Sequence, residues 1–116
     1  MKPIAVCAVV LLSGAMACAS SVPPPNDQWA AAQADVGRAQ AGGAPQSPDA
    51  KLHLQLAQED LQQARQLIGT DDWRATTLTE LARVEAQLAL SLAKQQVAQD
   101  AAQKAQTDLQ SAKGGK

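Results

Sequence analysis

A chain of 116 residues with a formal net charge of -1 has room for one small domain and a modest core. Lys+Arg number 10 against 11 Asp+Glu, which supplies neither a basic field for nucleic acid nor an acidic tail. The only aromatics are Trp29 and Trp73, and alanine and glutamine dominate, a composition that favours helix and disfavours sheet.

The N-terminal segment carries the most specific signal. Lys2 gives a positive start, Ile4 to Leu12 an apolar run, and small residues at Ala15 and Ala17 lead into Cys18. This is the layout of a bacterial lipoprotein signal peptide over residues 1–17, cut between Ala17 and Cys18, with a covalent lipid of palmitate type on the Cys18 thiol. Leucine is commonest three residues before such a cysteine, whereas Ala15 stands there and Met16 follows. Ordinary secretory cleavage near Ala17 or Ala19 therefore stays open. The apolar run is shorter than the ~20 residues of a membrane span. Cys7 leaves with the signal, so Cys18 stands alone and no disulfide framework is expected. Ala19 follows the cysteine, where an aspartate would mark inner-membrane retention. The expected place is the cell envelope, at the periplasmic face of the outer membrane.

Residues 18–25 read as the lipidated cysteine and a tether in which Pro23-Pro24-Pro25 favours an extended backbone. Asn26 and Asp27 are N-cap candidates for a first helix to about Ala41, with Trp29, Ala32, Val36 and Ala39 as its apolar stripe. Gly42 to Pro48 reads as a break. Asp49 is expected to cap a second helix, whose seam Ala50, Leu54, Ala57, Leu61, Ala64 and Ile68 advances by four and three in the heptad manner. Gly69 suits a left-handed C-terminal position. Thr70 or Asp71 can cap a third helix, and the carboxylates of Asp71 and Asp72 favour its positive end.

No glycine or proline interrupts Asp72 to Lys113, so the third helix is long, ~60 Å if continuous. Ala75, Leu78, Leu81, Ala82, Ala86, Leu88, Ala89, Leu92 and Ala93 form its expected buried face, and beyond Val97 mostly alanines continue. The second helix is too short to cover it, which leaves an overhang that is frayed, solvated or used against a partner. The expected architecture is all-α: an antiparallel helical hairpin with an additional N-terminal helix, a small three-helix bundle with a long last helix. The helical domain spans residues 26–113 and a flexible tail residues 114–116.

The turn Gly69-Thr70-Asp71-Asp72-Trp73-Arg74-Ala75 joins two amphipathic helices closely enough to make them neighbours. Trp73 is expected to fold over Leu67 or Leu78 and lock the corner, with ligand stacking as the other reading. This turn, the proline-bearing break and the run Leu81-Ala82-Arg83-Val84-Glu85-Ala86-Gln87-Leu88-Ala89 resemble the bacterial domain-of-unknown-function 4398 family over roughly Pro25 to Ala105. Members of that family are typically lipoproteins or periplasmic proteins without established enzymatic chemistry, so the resemblance implies a location rather than an activity. The turn is also similar to tetratricopeptide hairpins, but no second copy lies near a period of about 34 residues.

Few residues offer chemistry. His53 is the only histidine; its helical phase suggests a solvated surface residue, and no second ligand stands at a metal spacing. No serine lies in a nucleophile-elbow context, and the glycines form no phosphate loop. Glu85 falls on the apolar face of the third helix, where an unpaired carboxylate is costly. Arg65 is its expected partner across the hairpin, the other reading being a carboxylate that reaches the rim. The resulting expectation is a non-enzymatic, lipid-anchored module that binds, scaffolds or spaces envelope components. It needs no metal and no cofactor beyond the lipid, and it contacts the membrane through the anchor and other envelope proteins or peptidoglycan, but no nucleic acid. A lipid-anchored rod ending in Lys116 is also similar to lipoproteins joined to peptidoglycan through a terminal lysine, although the Tyr-Arg-Lys ending is lacking. The oligomeric state is left open.

Overall fold

A computed structural model describes residues 23–115; the signal segment, Ala17, Cys18 and Lys116 lie outside the described residues. The described chain is all-helical. Its elements are α1 (Pro25–Ala41), a short 3-10 turn (Ala44–Gln46), α2 (Pro48–Leu67) and α3 (Asp72–Gly114). At 1.5 Å per residue α3 is about 65 Å long.

Prolines set the starts of the first two helices. Pro25 and Pro48 take the first helical positions, where the missing N–H costs nothing and φ is already helical. The caps thus fall on Pro24 and Ser47, not on Asn26 or Asp49 as the sequence suggested. Asp27 and Asp49 occupy first turns instead, where a carboxylate favours the helix dipole. Gln28 ties the start of α1 down by donating from Nε2 to the Pro23 carbonyl at 2.7 Å.

The turn between α2 and α3 is closed by its own side chains. Gly69 is left-handed, with φ +85°, as a glycine there allows. Its N–H donates to Asp72 Oδ1 at 2.7 Å, and Asp71 Oδ1 accepts from the Arg74 N–H at 3.1 Å to cap α3. The Asp71 N–H reaches back to the Leu67 carbonyl at 2.8 Å.

Contacts along the helices define the packing. Gln63 of α2 borders Trp73 and Leu78, His53 meets Glu85, and Ser47 borders Gln95. Trp29 of α1 meets Leu61, while Asp35 meets Arg83 of α3. The core enclosed between them is mostly alanine: Ala32, Ala39, Ala50, Ala57, Ala82, Ala86 and Ala89 are fully buried, and Val36, Leu54 and Leu61 are its larger members. Thr79 is buried within α3 and satisfies its hydroxyl on the Ala75 carbonyl at 2.7 Å.

The buried face of α3 keeps the five expected alanines and differs from the expected one at Thr79, Leu81 and Leu88. Ala75, Thr79, Ala82, Ala86, Ala89 and Ala93 face the bundle, whereas Leu81 and Leu88 are 47% and 40% exposed. Small residues on that seam permit a close approach of the helix backbones, and Leu81 and Leu88 are left on the outside. Every residue from Lys94 to Gly115 is exposed. Enlarging the seam tests this close approach. Ala86→Leu is expected to destabilise the fold by about 1–3 kcal/mol in urea denaturation, while Leu88→Ala, on the outer face, is expected to cost less than the seam change.

Candidate functional site

A groove of about 420 Å³ lies between α1 and α2, lined by Trp29, Gln33, Val36, Gln40, Gln58 and Arg65 among others. Trp29 reaches it from the apolar stripe of α1. The indole N–H donates to the Leu61 carbonyl at 2.9 Å, an acceptor inside α2. The Arg65 guanidinium lies over the same ring, 4.7 Å from its centroid, within cation–π range. Both decorations of the indole come from α2, so this tryptophan fastens α1 to α2. The surrounding glutamine amides are donors and acceptors without charge. A groove of this kind can hold polar chain or an anionic group near Arg65, but it contains no nucleophile, base or acid.

Arg65 and Glu85 do not pair. Arg65 lies four residues before Gly69 and Glu85 sixteen after it, a difference that corresponds to about 18 Å of helix. His53, sixteen residues before the same glycine, is level with Glu85, and their side chains meet at 2.5 Å between Nδ1 and Oε2. His53 is thus a partly buried partner of α3, not the solvated residue expected from its phase. The His53–Glu85 contact satisfies a carboxylate that would otherwise be poorly solvated.

A second polar cluster joins α1 to α3. Asp35 is buried, with 6% of its side chain exposed; it is paired with Arg38 on its own helix and accepts from Arg83 Nε at 3.3 Å. Arg83 also holds Glu80 at 3.2 Å. Asp60 stands near the Glu85 contact without a cation of its own. Burial first, then the negative charges of Glu85 and Glu59, push its carboxyl above the ordinary value of 3.8.

Of the turn residues, Gly69, Asp71 and Asp72 sit at the corner in structural roles. Trp73 does not lock it. It is 77% exposed and only borders a shallow recess with Gln63, Thr77 and Leu78. The tryptophan that fastens helices together is Trp29. Among the described residues no group of three or more His, Cys, Asp or Glu is placed to hold a metal ion, and no helix is long and apolar enough to cross a membrane.

Three packed helices, charge-clamped at the rim and carrying a polar groove, define a small helical bundle module. A family profile, domain of unknown function DUF4398, matches residues 27–113, and the chain belongs to that family. No curated protein and no solved structure matches it.

Two measurements check the site. Trp29→Ala is expected to cost about 3 kcal/mol, against less than about 0.5 kcal/mol for Trp73→Ala, both read by chemical denaturation; equal losses would reverse their assignment. For Asp60, the raised value disfavours the charged form in the fold. Its contribution is full below the carboxyl's unfolded range and is lost as pH rises through the raised folded value. Asp60→Asn is therefore expected to melt higher than the wild type at pH 7, with the gap closing in acid. A gap that widened in acid would contradict this assignment.

Proposed function

We infer that this chain is a non-enzymatic, lipid-anchored envelope lipoprotein, held through Cys18 at the periplasmic face of the outer membrane, that scaffolds or spaces envelope components. Its body would be an antiparallel α2–α3 hairpin with α1 packed along it. The observation that carries the spacer reading is the bare stretch of α3 from Lys94 onward, of which about 20 Å lies past Gln99, the last residue to border the start of α2. A helix that leaves its own core presents its length to something else. The Lys2 to Cys18 pattern supports the anchor, and the proline run places the bundle a short distance from it. The alanine core and amide-lined groove favour binding over catalysis, which would call for convergent acid, base or nucleophile groups in a cleft. Membership of the family is compatible with an envelope location.

A second reading is a covalent tether to peptidoglycan through Lys116, favoured by the same projection, which carries the C-terminal end of α3 away from the bundle. The two readings separate cleanly. Cys18→Ala is expected to move the protein from the membrane to the soluble fraction; a variant that stays in the membrane sinks the lipid anchor. Lysozyme-sensitive migration that disappears on deletion of Lys116 would establish the tether, and unchanged migration would remove it.

A further inference from the structure

Helix α3 carries two seams. The first, Ala75-Thr79-Ala82-Ala86-Ala89-Ala93, is buried against α1 and α2. The second is Leu81, Val84, Leu88, Ser91, Gln95, Ala98, Ala102, Ala105, Leu109 and Ala112, which advances by three and four without a break. Every one of these ten residues is exposed. At 100° per residue the second seam, where it runs beside the bundle, points about 160° away from the first. The bundle therefore leaves it free. Eight of the ten are apolar, with Ser91 and Gln95 the polar members, and a 3.5-residue spacing of apolar residues is the pattern of a helix that supercoils with another helix.

We propose that the second seam pairs with the same seam of a second copy of this chain, antiparallel, to form a two-stranded coiled coil along α3. The occupant is identified by the seam's own asymmetry. Its N-terminal part is large, with Leu81, Val84 and Leu88, whereas its C-terminal part is alanine apart from Leu109. An antiparallel pair centred between Gln96 and Val97 sets Leu81 against Ala112, Val84 against Leu109, Leu88 against Ala105, Ser91 against Ala102 and Gln95 against Ala98. Four of these five pairings put the larger side chain against an alanine, so the interhelical distance stays nearly constant along the contact.

A parallel, in-register pair lacks this complementarity. It stacks leucine on leucine at one end and alanine on alanine at the other, which splays the axes. It also sets Glu80, beside the seam on one flank, against Glu85 of the second copy on the other, twice over.

Geometry and area agree with the antiparallel pair. The bare part of each α3 lies along the bundle-side part of the other, while each bundle sits on the far face of its own helix. The seam runs about 47 Å, and a helix pair of that length buries on the order of 1,000 Å² in total, the lower end for a specific association. The expected dimer is therefore weak and concentration-dependent. It does not depend on whether Cys18 carries lipid.

The test places the photoreactive amino acid benzoylphenylalanine at position 105 of the full chain. Irradiation is expected to yield a species of twice the chain mass, with the adduct mapped to the peptide containing Leu88. The same probe at position 104, which points off the seam, is expected to give at least tenfold less. Leu88→Glu is expected to abolish the position-105 adduct while leaving the melting temperature of the dilute protein unchanged. An adduct joining position 105 to the peptide around 105 of the second copy would overturn the antiparallel pair. Adducts to a different protein, or none at protein concentrations near 100 μM, would overturn self-association itself.

Discussion

Close approach of alanine-faced helices is the constraint on which the rest of this structure depends. Ala82, Ala86 and Ala89 of α3 and Ala50, Ala57 and Ala64 of α2 have no exposed surface at all. A side chain ending at Cβ lets two helix axes come close, and Leu54 and Leu61 of α2 are the larger side chains buried among these alanines. Gly42 shows the same economy at the end of α1, where an added Cβ would lie 2.2 Å from Leu90 Cδ1. The larger apolar residues of α3 are consequently displaced to the flanks and the outside. The exposed Leu81, Val84 and Leu88 follow from the tight interior.

An alanine core also has an energetic consequence. Each buried methyl contributes well under the 1.5–3 kcal/mol of a buried leucine or valine, and alanine seams discriminate poorly between neighbouring registers. Register and orientation are therefore assigned to directional contacts at the rim. Asp35 binds α1 to Arg83 of α3, His53 binds α2 to Glu85 of α3, and the Trp29 indole binds α1 to the Leu61 carbonyl of α2. Each pair of helices has at least one such contact. The most deeply buried of these groups is the Asp35 carboxylate, which is held by two guanidinium groups because an unpaired charge there would be strongly unfavourable. In this fold the polar rim carries specificity that a leucine core would carry by shape.

The helical class, the three helices and the great length of the last one were legible in the sequence, since glycine and proline punctuate it sharply and the periodicity within α2 is strong. Residues with two possible faces were harder to place. Alanine is at home both in a tight core and on a solvated helix, so ranking by hydrophobicity assigned Leu81 and Leu88 inward when Thr79 and the alanines hold that place. Trp73, expected to lock the corner, is exposed there, whereas Trp29, already on the apolar stripe of α1, faces α2 at the level of an accepting carbonyl. The His53–Glu85 contact did have a signal, because both residues are sixteen positions from Gly69. Counting outward from the turn finds it; helical phase alone, which suggested Arg65, does not include axial level. The pairing of Asp35 with Arg83 needs the placement of α1, and the loop between α1 and α2 encodes that placement only through three-dimensional packing.

The bare half of α3 raises the question of what keeps it helical. Starting a helix is unfavourable but extending one is not, and here the nucleus is the portion packed in the bundle. From Lys94 to Lys113 the sequence is mostly alanine, glutamine and lysine with few β-branched residues, and those three are good helix formers. Gln96 and Asp100, one turn apart, join their side chains at 2.9 Å, a local bond of the kind that adds a few tenths of a kcal/mol. The projection is thus ordered before anything touches it. A partner that docks along it, a second copy included, meets a surface whose backbone entropy has already been lost in folding, so even a narrow seam of alanines and a few leucines can yield a usable association. Alanine thus serves α3 twice, at different positions: it makes the interior face tight and the outer seam shallow.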